Sequence, residues 1–217
     1  MLIAFVGIDG SGKSTQAYKM IKALNKMNIR CQYYHPYFEY IFLSKLFRVF
    51  SGATEALRTR KNNITNKKSG LLKLWLILTL FDNFVTYLVY LRKPGKDIAL
   101  ICDRYFFDNI VTFVSEGVCN LPTGRLLLAF IPKPDIVFWF DAPPDIAFER
   151  KPEHSLLVYQ KLRANYIQLL SSFMTQRIVI DANQPISDIS LIVLNHYVKF
   201  AGIYQSNSTS KDIKSFE

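Results

Sequence analysis

The clearest chemical pattern in this chain is a glycine-rich segment close to its beginning. The segment reads Gly7-Ile8-Asp9-Gly10-Ser11-Gly12-Lys13-Ser14, which matches the pattern G-x-x-x-x-G-K-[ST]. The apolar run Leu2–Val6 precedes it, and a stretch with helical apolar spacing, Ser14–Met27, follows it. In that context the backbone N–H groups surround phosphate oxygens, Lys13 reaches the terminal phosphates of a nucleotide, and the Ser14 hydroxyl is a ligand for Mg²⁺. The segment therefore predicts a loop that binds Mg-ATP.

A second acidic position completes this pattern. The apolar residues Ile98–Cys102 are followed directly by Asp103. Nucleotide hydrolases and kinases with such a loop hold Mg²⁺ with an acid at the end of a neighbouring strand. We therefore expect Ser14 and Asp103 to hold the metal. The segment Asn66-Lys67-Lys68-Ser69 lacks the last acid of a guanine-reading Asn-Lys-x-Asp motif, which argues against a GTPase.

Alternating strands and helices must position these residues. Five short apolar runs predict strands covered on both faces: Leu2–Val6, Ile29–Tyr34, Ile98–Cys102, Ile136–Phe140 and Ile178–Ile180. The segments with helical spacing are Ser14–Met27, Tyr40–Phe50, Leu71–Leu91, Phe106–Glu116, Gly124–Phe130, Pro144–Lys151, Ser155–Phe173 and Ile186–Phe200. This order predicts an α/β fold, a five-stranded parallel sheet with helices on both faces, which binds its ligands at the carboxyl ends of the strands.

Length and composition favour one globular domain. The chain has 217 residues, of which 50% are hydrophobic, and we expect a single domain over residues 1–200 and a tail over 201–217. The net charge of +10 favours anionic partners without specifying which. Three scattered cysteines form no C-x-x-C pair, so we expect neither a disulfide framework nor a cysteine zinc site, and a reducing, cytoplasmic location.

Two further segments could contact a membrane, a second copy of the chain or a nucleic acid. Leu71–Leu91 approaches membrane-spanning length, but Lys73, Asp82 and Asn83 would be costly in lipid. We expect a buried helix there, with its excess apolar surface in a homodimer interface, and no membrane partner. The basic stretch Thr54–Gly70 is consistent with a solvated loop or with a phosphate or nucleic-acid contact. No aromatic stacking platform is evident, so we expect no nucleic-acid partner.

Several motifs together resemble the thymidylate kinase family in order and approximate spacing. They are Gly7–Thr15 with Gln16, Asp103-Arg104-Tyr105, Pro134-Asp135, Asp141, Glu149-Arg150, Arg163, Tyr166 and Asp181-Ala182. The resemblance extends from about residue 1 to residue 198. It implies a P-loop kinase that transfers the γ-phosphoryl group of ATP to a nucleoside monophosphate, with thymidylate (dTMP) the leading acceptor, Mg²⁺ the only metal and a homodimer the assembly.

The resemblance also implies roles for individual residues. Lys13, Arg104 and Arg150 would be catalytic. The nucleotide would be bound by Gly7, Ile8, Asp9, Gly10, Ser11, Gly12, Lys13, Ser14, Thr15 and Asn183. The acceptor would be bound by Asp9, Arg104, Tyr105 and Asn109, with Asp9 near the sugar and Arg104 on the phosphate. The acceptor phosphate is already ionised, so no general base is required.

Some family residues are replaced in this chain. The family's Arg-Glu-Pro-Gly after the second strand is Tyr34-His35-Pro36-Tyr37 here, and its Asp-Arg in the third helix is Asp82-Asn83. Thr79 stands where the family has an aromatic ring that stacks on the base. These replacements leave the acceptor base open. They also leave two alternatives: a kinase of a nucleoside or other small molecule, with Asp9 as base, or a nucleotide-binding protein with reduced catalysis.

The predicted lid, about residues 150–163, is short. Twelve residues separate Arg150 from Arg163. Family members with glycine at the position of Gly10 take a catalytic arginine from the lid, and this lid offers only Arg150, Lys151 and His154. We expect slow turnover unless Arg150 or Lys151 supplies that charge.

Overall fold

The computed structural model describes residues 1–35, 78, 81–92, 98–173 and 177–202. In this part of the chain the strands form one sheet with the order β2-β3-β1-β4-β5, and every neighbouring pair is parallel. The strands are β1 (Leu2–Val6), β2 (Cys31–Tyr34), β3 (Ala99–Asp103), β4 (Ile136–Asp141) and β5 (Arg177–Asp181). The predicted five-stranded parallel sheet is confirmed.

Helices surround this sheet. They are α1 (Lys13–Lys26), α2 (Phe106–Ser115), α3 (Leu121–Ala129), α4 (Pro144–Arg150), α5 (Leu156–Phe173) and α6 (Ile186–Phe200). Helix α1 packs against α6, while α5 packs against α2, α3 and α4. Residues 81–86 are also helical and continue into a π-helical turn, Tyr87–Leu91. None of the helices within the described ranges is long and apolar enough to cross a membrane.

Helix α3 begins earlier than its apolar spacing predicts. The expected start was Gly124, but the helix begins at Leu121. The Asn120 side chain accepts a hydrogen bond from the Thr123 N–H at 3.0 Å, and Pro122 stands in the first turn. An asparagine cap followed by proline is a strong start signal, and it adds three residues to the helix that apolar spacing alone does not reveal.

The prediction that all strands are covered on both faces is wrong for the two edge strands. Strands β1 and β3 are buried along their whole length, and β4 is buried except at Asp141. By contrast, Gln32 in β2 and Val179 in β5 are exposed, Val179 at 49%. An edge strand pairs with a single neighbour and lies at the rim of the helix layers, so an apolar sequence there does not ensure burial.

The topology brings the chemically important segments to one edge of the sheet. Strands β1 and β3 are neighbours, with Phe5 paired to Asp103. The Arg104 N–H then donates to the Phe5 carbonyl oxygen at 2.9 Å. The glycine-rich loop, which follows β1, and the Asp103-Arg104 turn, which follows β3, therefore lie side by side at the carboxyl ends of their strands.

Several expectations fall outside the described residues. They concern the helix Tyr40–Phe50, the basic stretch Thr54–Gly70, Pro36-Tyr37, residues 71–77 and 79–80 of Leu71–Leu91, Thr79 among them, and the tail beyond residue 202. These remain predictions. Within Leu71–Leu91, residues 78 and 81–91 are helical, as expected.

Candidate functional site

The glycine-rich loop connects the end of β1 to the start of α1. Gly12, directly before α1, has φ of 85° and ψ of 5°, a left-handed conformation that favours glycine. The first turn of α1 consequently directs its unpaired N–H groups and its positive dipole end toward the loop. This geometry suits an anion such as a nucleotide phosphate.

Lys13 lies inside this loop. Only 4% of the residue is exposed, and its Nζ donates to the Ile8 carbonyl oxygen at 3.0 Å. The same Nζ is 3.5 Å from Asp9 Oδ1. Burial lowers the pKa of Lys13, and the positive charge of Arg104 acts in the same direction. The structure thus holds a partly desolvated cation where the phosphates are expected.

Arg104 supplies a second cation beside the first. Its Nη2 donates to Asp9 Oδ1 in a close ion pair. Burial by itself would raise the pKa of Asp9, but Lys13 and Arg104 hold that pKa below its ordinary value, with a smaller contribution from Lys151. The backbone of Arg104 has φ of 79°, which is uncommon for a residue with a side chain. Asp9 therefore lies between two cations at the mouth of the loop.

Asp103 has the properties expected of a magnesium ligand. Its side chain is 1% exposed, and its Oδ2 accepts a hydrogen bond from the Tyr33 hydroxyl at 2.9 Å. His35 Nε2 lies 3.9 Å from the same oxygen. Asp103 Oδ1 is buried without a hydrogen-bond partner among the described residues. An unpaired buried carboxylate oxygen is costly unless a cation or donor satisfies it.

The second expected metal ligand, Ser14, is exposed in the first turn of α1. Mg²⁺ is usually bound by one or two protein groups together with substrate phosphates and waters. A single unpaired carboxylate oxygen and one accessible hydroxyl therefore fit Mg²⁺ bound with a nucleotide.

Tyr33 is a functional candidate that the sequence analysis missed. It lies in β2, in register with Ile101 of β3, and its hydroxyl is committed to Asp103 Oδ2. The run Ile29–Tyr34 predicts only a strand. The strand order, which places β2 next to β3, gives this tyrosine its position, and strand order cannot be read from an apolar run.

We predict that Tyr33→Phe weakens Mg²⁺ binding about tenfold, because a partner that orients a ligating carboxylate typically contributes 10–100-fold in metal affinity. Competition with Mn²⁺, followed by electron paramagnetic resonance in the presence of ATP, measures that affinity. Tyr90→Phe is the matched control, since Tyr90 is exposed and stacks on Tyr34, the next residue of β2, with a centroid distance of 5.9 Å. An unchanged affinity in Tyr33→Phe would remove Tyr33 from the metal site.

The remaining predicted acceptor residues lie at the start of α2. Tyr105 is buried, and its hydroxyl donates to the Pro132 carbonyl oxygen at 2.7 Å. Asn109 is half-buried in the first turn of the helix. Between them lies Asp108, which is fully buried and was not singled out from the sequence. As the side chains stand, Tyr105 can support the acceptor site by packing, whereas Asn109 is accessible.

Helix α4 covers the glycine-rich loop. A Cβ atom added to Gly10 would overlap the Ala147 carbonyl oxygen, so no side chain fits at position 10 unless the helix moves. At the end of α4, Arg150 Nη1 donates to the Ala182 carbonyl oxygen at 2.9 Å. The neighbouring Asn183 N–H donates to Asp181 Oδ1 at 3.0 Å. Arg150 therefore connects the lid to the turn after β5.

Lys151, directly after α4, has different side-chain contacts from Arg150. Its Nζ pairs with Glu153 Oε1 at 3.1 Å, and its backbone oxygen accepts a hydrogen bond from the Tyr159 hydroxyl. Its charge contributes to the lowered pKa of Asp9, which places it within electrostatic range of the loop.

Comparison with known proteins finds relatives that match over most of the chain. No protein-family profile matches the chain. A probable thymidylate kinase 2 of Saccharolobus solfataricus is 27% identical over 96% of this chain and 98% of its own length. A thymidylate kinase of Chlorobium chlorochromatii is 27% identical, covering 85% and 88% of the two chains. A probable thymidylate kinase of Methanosarcina mazei is 28% identical, covering 92% and 96%. In its parallel sheet, its phosphate-binding loop and its relatives matched over most of their length, the chain is similar to thymidylate kinases.

Proposed function

We propose that this protein transfers the γ-phosphoryl group of ATP to a nucleoside monophosphate, with dTMP the leading acceptor. The observation that carries the proposal is the group Lys13, Asp9 and Arg104, in which two cations flank one carboxylate at the edge of the sheet. Lys13 is in the loop that suits the donor phosphates, and Arg104 is beside it, where a second phosphate can be bound. The relatives, named as thymidylate kinases, support dTMP as that second substrate.

In this mechanism the protein aligns two phosphates and neutralises charge. Backbone N–H groups of the loop and the N-terminus of α1 bind the β- and γ-phosphates. The Arg104 guanidinium binds the acceptor phosphate with paired N–H donors, and Lys13 stabilises charge on the transferring group. Ser14 and Asp103 would hold Mg²⁺, which when bound neutralises the phosphate oxygens. The acceptor oxygen is already ionised, so Asp9 is needed to orient Arg104 and the sugar but not to remove a proton.

Lys151 is proposed as the lid cation that acts on the transferring group. Arg150 is committed to the Ala182 carbonyl, whereas the charge of Lys151 reaches Asp9. We predict that Lys151→Ala lowers kcat about tenfold with little change in KM, because a lid charge on the transferring phosphoryl group acts mainly in the transition state. Arg150→Ala is expected to raise the KM for ATP instead.

Steady-state kinetics with ATP and the acceptor varied in turn separate these two effects. Lys161→Ala is the control, since Lys161 is an exposed lysine on the neighbouring helix α5. A larger kcat loss in Arg150→Ala than in Lys151→Ala would assign the catalytic charge to Arg150.

The proposed activity is tested by coupled ADP release with Mg-ATP and, separately, dTMP, dUMP, UMP, CMP, dCMP, AMP and GMP. Preferred turnover of dTMP is the expected result. Preferred turnover of another monophosphate would keep the reaction and replace the acceptor. Turnover of nucleosides but of no monophosphate would overturn the proposal in favour of a nucleoside kinase.

A nucleotide-binding protein with weak transferase activity is the second candidate. The packing of Ala147 against Gly10 favours it, because it excludes an arginine from that position of the loop. Lys151 is also half-exposed and is a single point charge, which stabilises a phosphoryl group less well than a guanidinium does. ATP binding without turnover on any acceptor would support this candidate.

We also propose that the protein is a cytoplasmic homodimer. Phe81 and Phe84, on the helical residues 81–86, are 56% and 49% exposed. Two exposed phenylalanines three positions apart lie on one side of a helix, and a second copy of the chain would cover them. Light scattering should give twice the 25.1 kDa chain mass, and a concentration-independent monomer would contradict the dimer.

A further inference from the structure

A buried carboxylate and a buried phenol lie directly beneath the phosphate-binding loop. Asp108 Oδ1 accepts hydrogen bonds from the Gly7 N–H at 3.4 Å and from the Tyr166 hydroxyl. Its Oδ2 accepts from the Tyr105 N–H at 2.7 Å. The Tyr166 hydroxyl also lies 3.2 Å from the Gly7 carbonyl oxygen. Both side chains are buried, at 4% and 3% exposure.

These contacts connect three separate parts of the chain. Gly7 opens the loop after β1, Tyr105 follows Arg104 at the end of β3, and Tyr166 lies on α5, the helix that follows the lid. The N–H and the C=O of Gly7 both bond to this pair of side chains, so the pair fixes the orientation of the loop's first peptide groups. A Cβ atom added to Gly7 would lie 2.6 Å from the Phe140 carbonyl oxygen, so the loop passes close to the end of β4 and leaves no room for a side chain at this position.

The carboxylate also lies in the field of the two site cations. Burial raises the pKa of Asp108, while the charges of Arg104 and Lys13 oppose that shift. Its three hydrogen-bond partners among the described residues, the Gly7 N–H, the Tyr105 N–H and the Tyr166 hydroxyl, all donate to it, as they would to an ionised carboxylate. Asp108 thus lies within electrostatic range of both cations.

We propose that Asp108 and Tyr166 are positioning residues that hold the start of the phosphate-binding loop, and the turn that carries Arg104, in register with helix α5. They do not touch the substrates. They act by orienting Gly7 and Tyr105, whose neighbours bind the donor and acceptor phosphates. The acceptor half of this inference rests on the proposed function, whereas the ATP half requires only the loop.

The test is Tyr166→Phe, which removes one hydroxyl and retains the ring that packs beside Trp139. Isothermal titration calorimetry with ATP, without acceptor, measures the Kd. Ser115→Ala is the matched control: the Asn165 amide donates to Ser115 Oγ at 2.8 Å, so this variant also removes a hydrogen bond, here a partly buried one, between α2 and α5. Within the described part of the chain, the Ser115 hydroxyl hydrogen-bonds with Asn165 and Val111, away from the loop.

We expect Tyr166→Phe to raise the Kd for ATP five- to tenfold and to speed hydrogen exchange of the Gly7 amide. Ser115→Ala should leave both within twofold of the wild type, although both variants lower the melting temperature. A wild-type Kd in Tyr166→Phe, or an equal loss in Ser115→Ala, would overturn the positioning role. If Tyr166→Phe does not fold, Asp108→Asn takes its place and should show the same changes in the Kd for ATP and in Gly7 amide exchange. Failure of both variants to fold would also overturn the positioning role.

The outcome for this pair is separable from the outcome for the proposed function. ATP binding is measured without transfer, so a wild-type protein that phosphorylates no monophosphate would refute the proposed function while the ATP titrations still decide the positioning role. If transfer is present, Tyr166→Phe should additionally raise the KM for the acceptor.

Discussion

Replacing Lys13 with alanine is expected to lower kcat by about 10³-fold while the protein remains folded. Removing a single neutral donor from a preorganised anion site costs roughly 10²–10³ in rate, and Lys13 contributes a full charge. Its surroundings are already arranged around that charge, with Nζ on the Ile8 carbonyl oxygen at 3.0 Å and near Asp9. The loss should appear in kcat more than in KM for ATP, because the charge on the transferring oxygens develops during transfer.

Removing the Lys13 charge should also affect the stability of the folded protein. Burial lowers the pKa of Lys13, which means that the folded protein disfavours this charge relative to water. Lys13→Met keeps most of the length of the side chain without the charge. It should therefore have a melting temperature equal to or above that of the wild type while being as inactive as Lys13→Ala. Equal kcat values in mutant and wild type would remove Lys13 from the mechanism.

Truncating Arg104 is expected to lower kcat/KM for the acceptor by about 100-fold and to leave ATP affinity nearly unchanged. The guanidinium would bind the acceptor phosphate through charge-assisted hydrogen bonds, each of which contributes about 1.5–3 kcal/mol. A loss of about 3 kcal/mol corresponds to roughly two orders of magnitude. Initial rates at saturating ATP, with the acceptor varied, measure this effect.

The backbone at Arg104 provides an internal control. Its φ of 79° favours glycine, so Arg104→Ala carries backbone strain that Arg104→Gly avoids. Both variants should show the same kinetic loss, while Arg104→Gly should be the more stable of the two. Arg104→Lys keeps the charge but not the planar pair of donors, and we expect it to recover only part of the rate. A change confined to ATP affinity would contradict the acceptor role of Arg104.

The sequence was sufficient to predict the sheet and to single out the glycine-rich loop and Asp103 as candidate site residues. Gly7–Ser14 and Asp103 carry local patterns, in which glycines, lysine and an acid follow apolar runs, and such patterns identify chemistry without a three-dimensional context. The parallel arrangement follows from the alternation of strands and helices. Helix bounds such as Ile186–Phe200 agree with the structure because their apolar spacing is regular.

The parts that could not be predicted depend on which elements become neighbours. Tyr33 reaches Asp103 because β2 lies beside β3, and Asp108 reaches Tyr166 because α2 packs against α5. In the sequence, Asp108 is an acid in the first turn of a helix, which is commonly only a cap, and nothing local distinguishes its buried role. The exposure of Val179 has the same origin, since only the strand order identifies β5 as an edge.

The most direct test of this account is the transfer of label from [γ-³²P]ATP to dTMP in the presence of Mg²⁺. Labelled dTDP is expected with the wild-type protein, and none above background with Lys13→Met over the same period. Binding of ATP without labelled dTDP, at enzyme concentrations comparable to those of the substrates, would contradict the proposed thymidylate kinase activity.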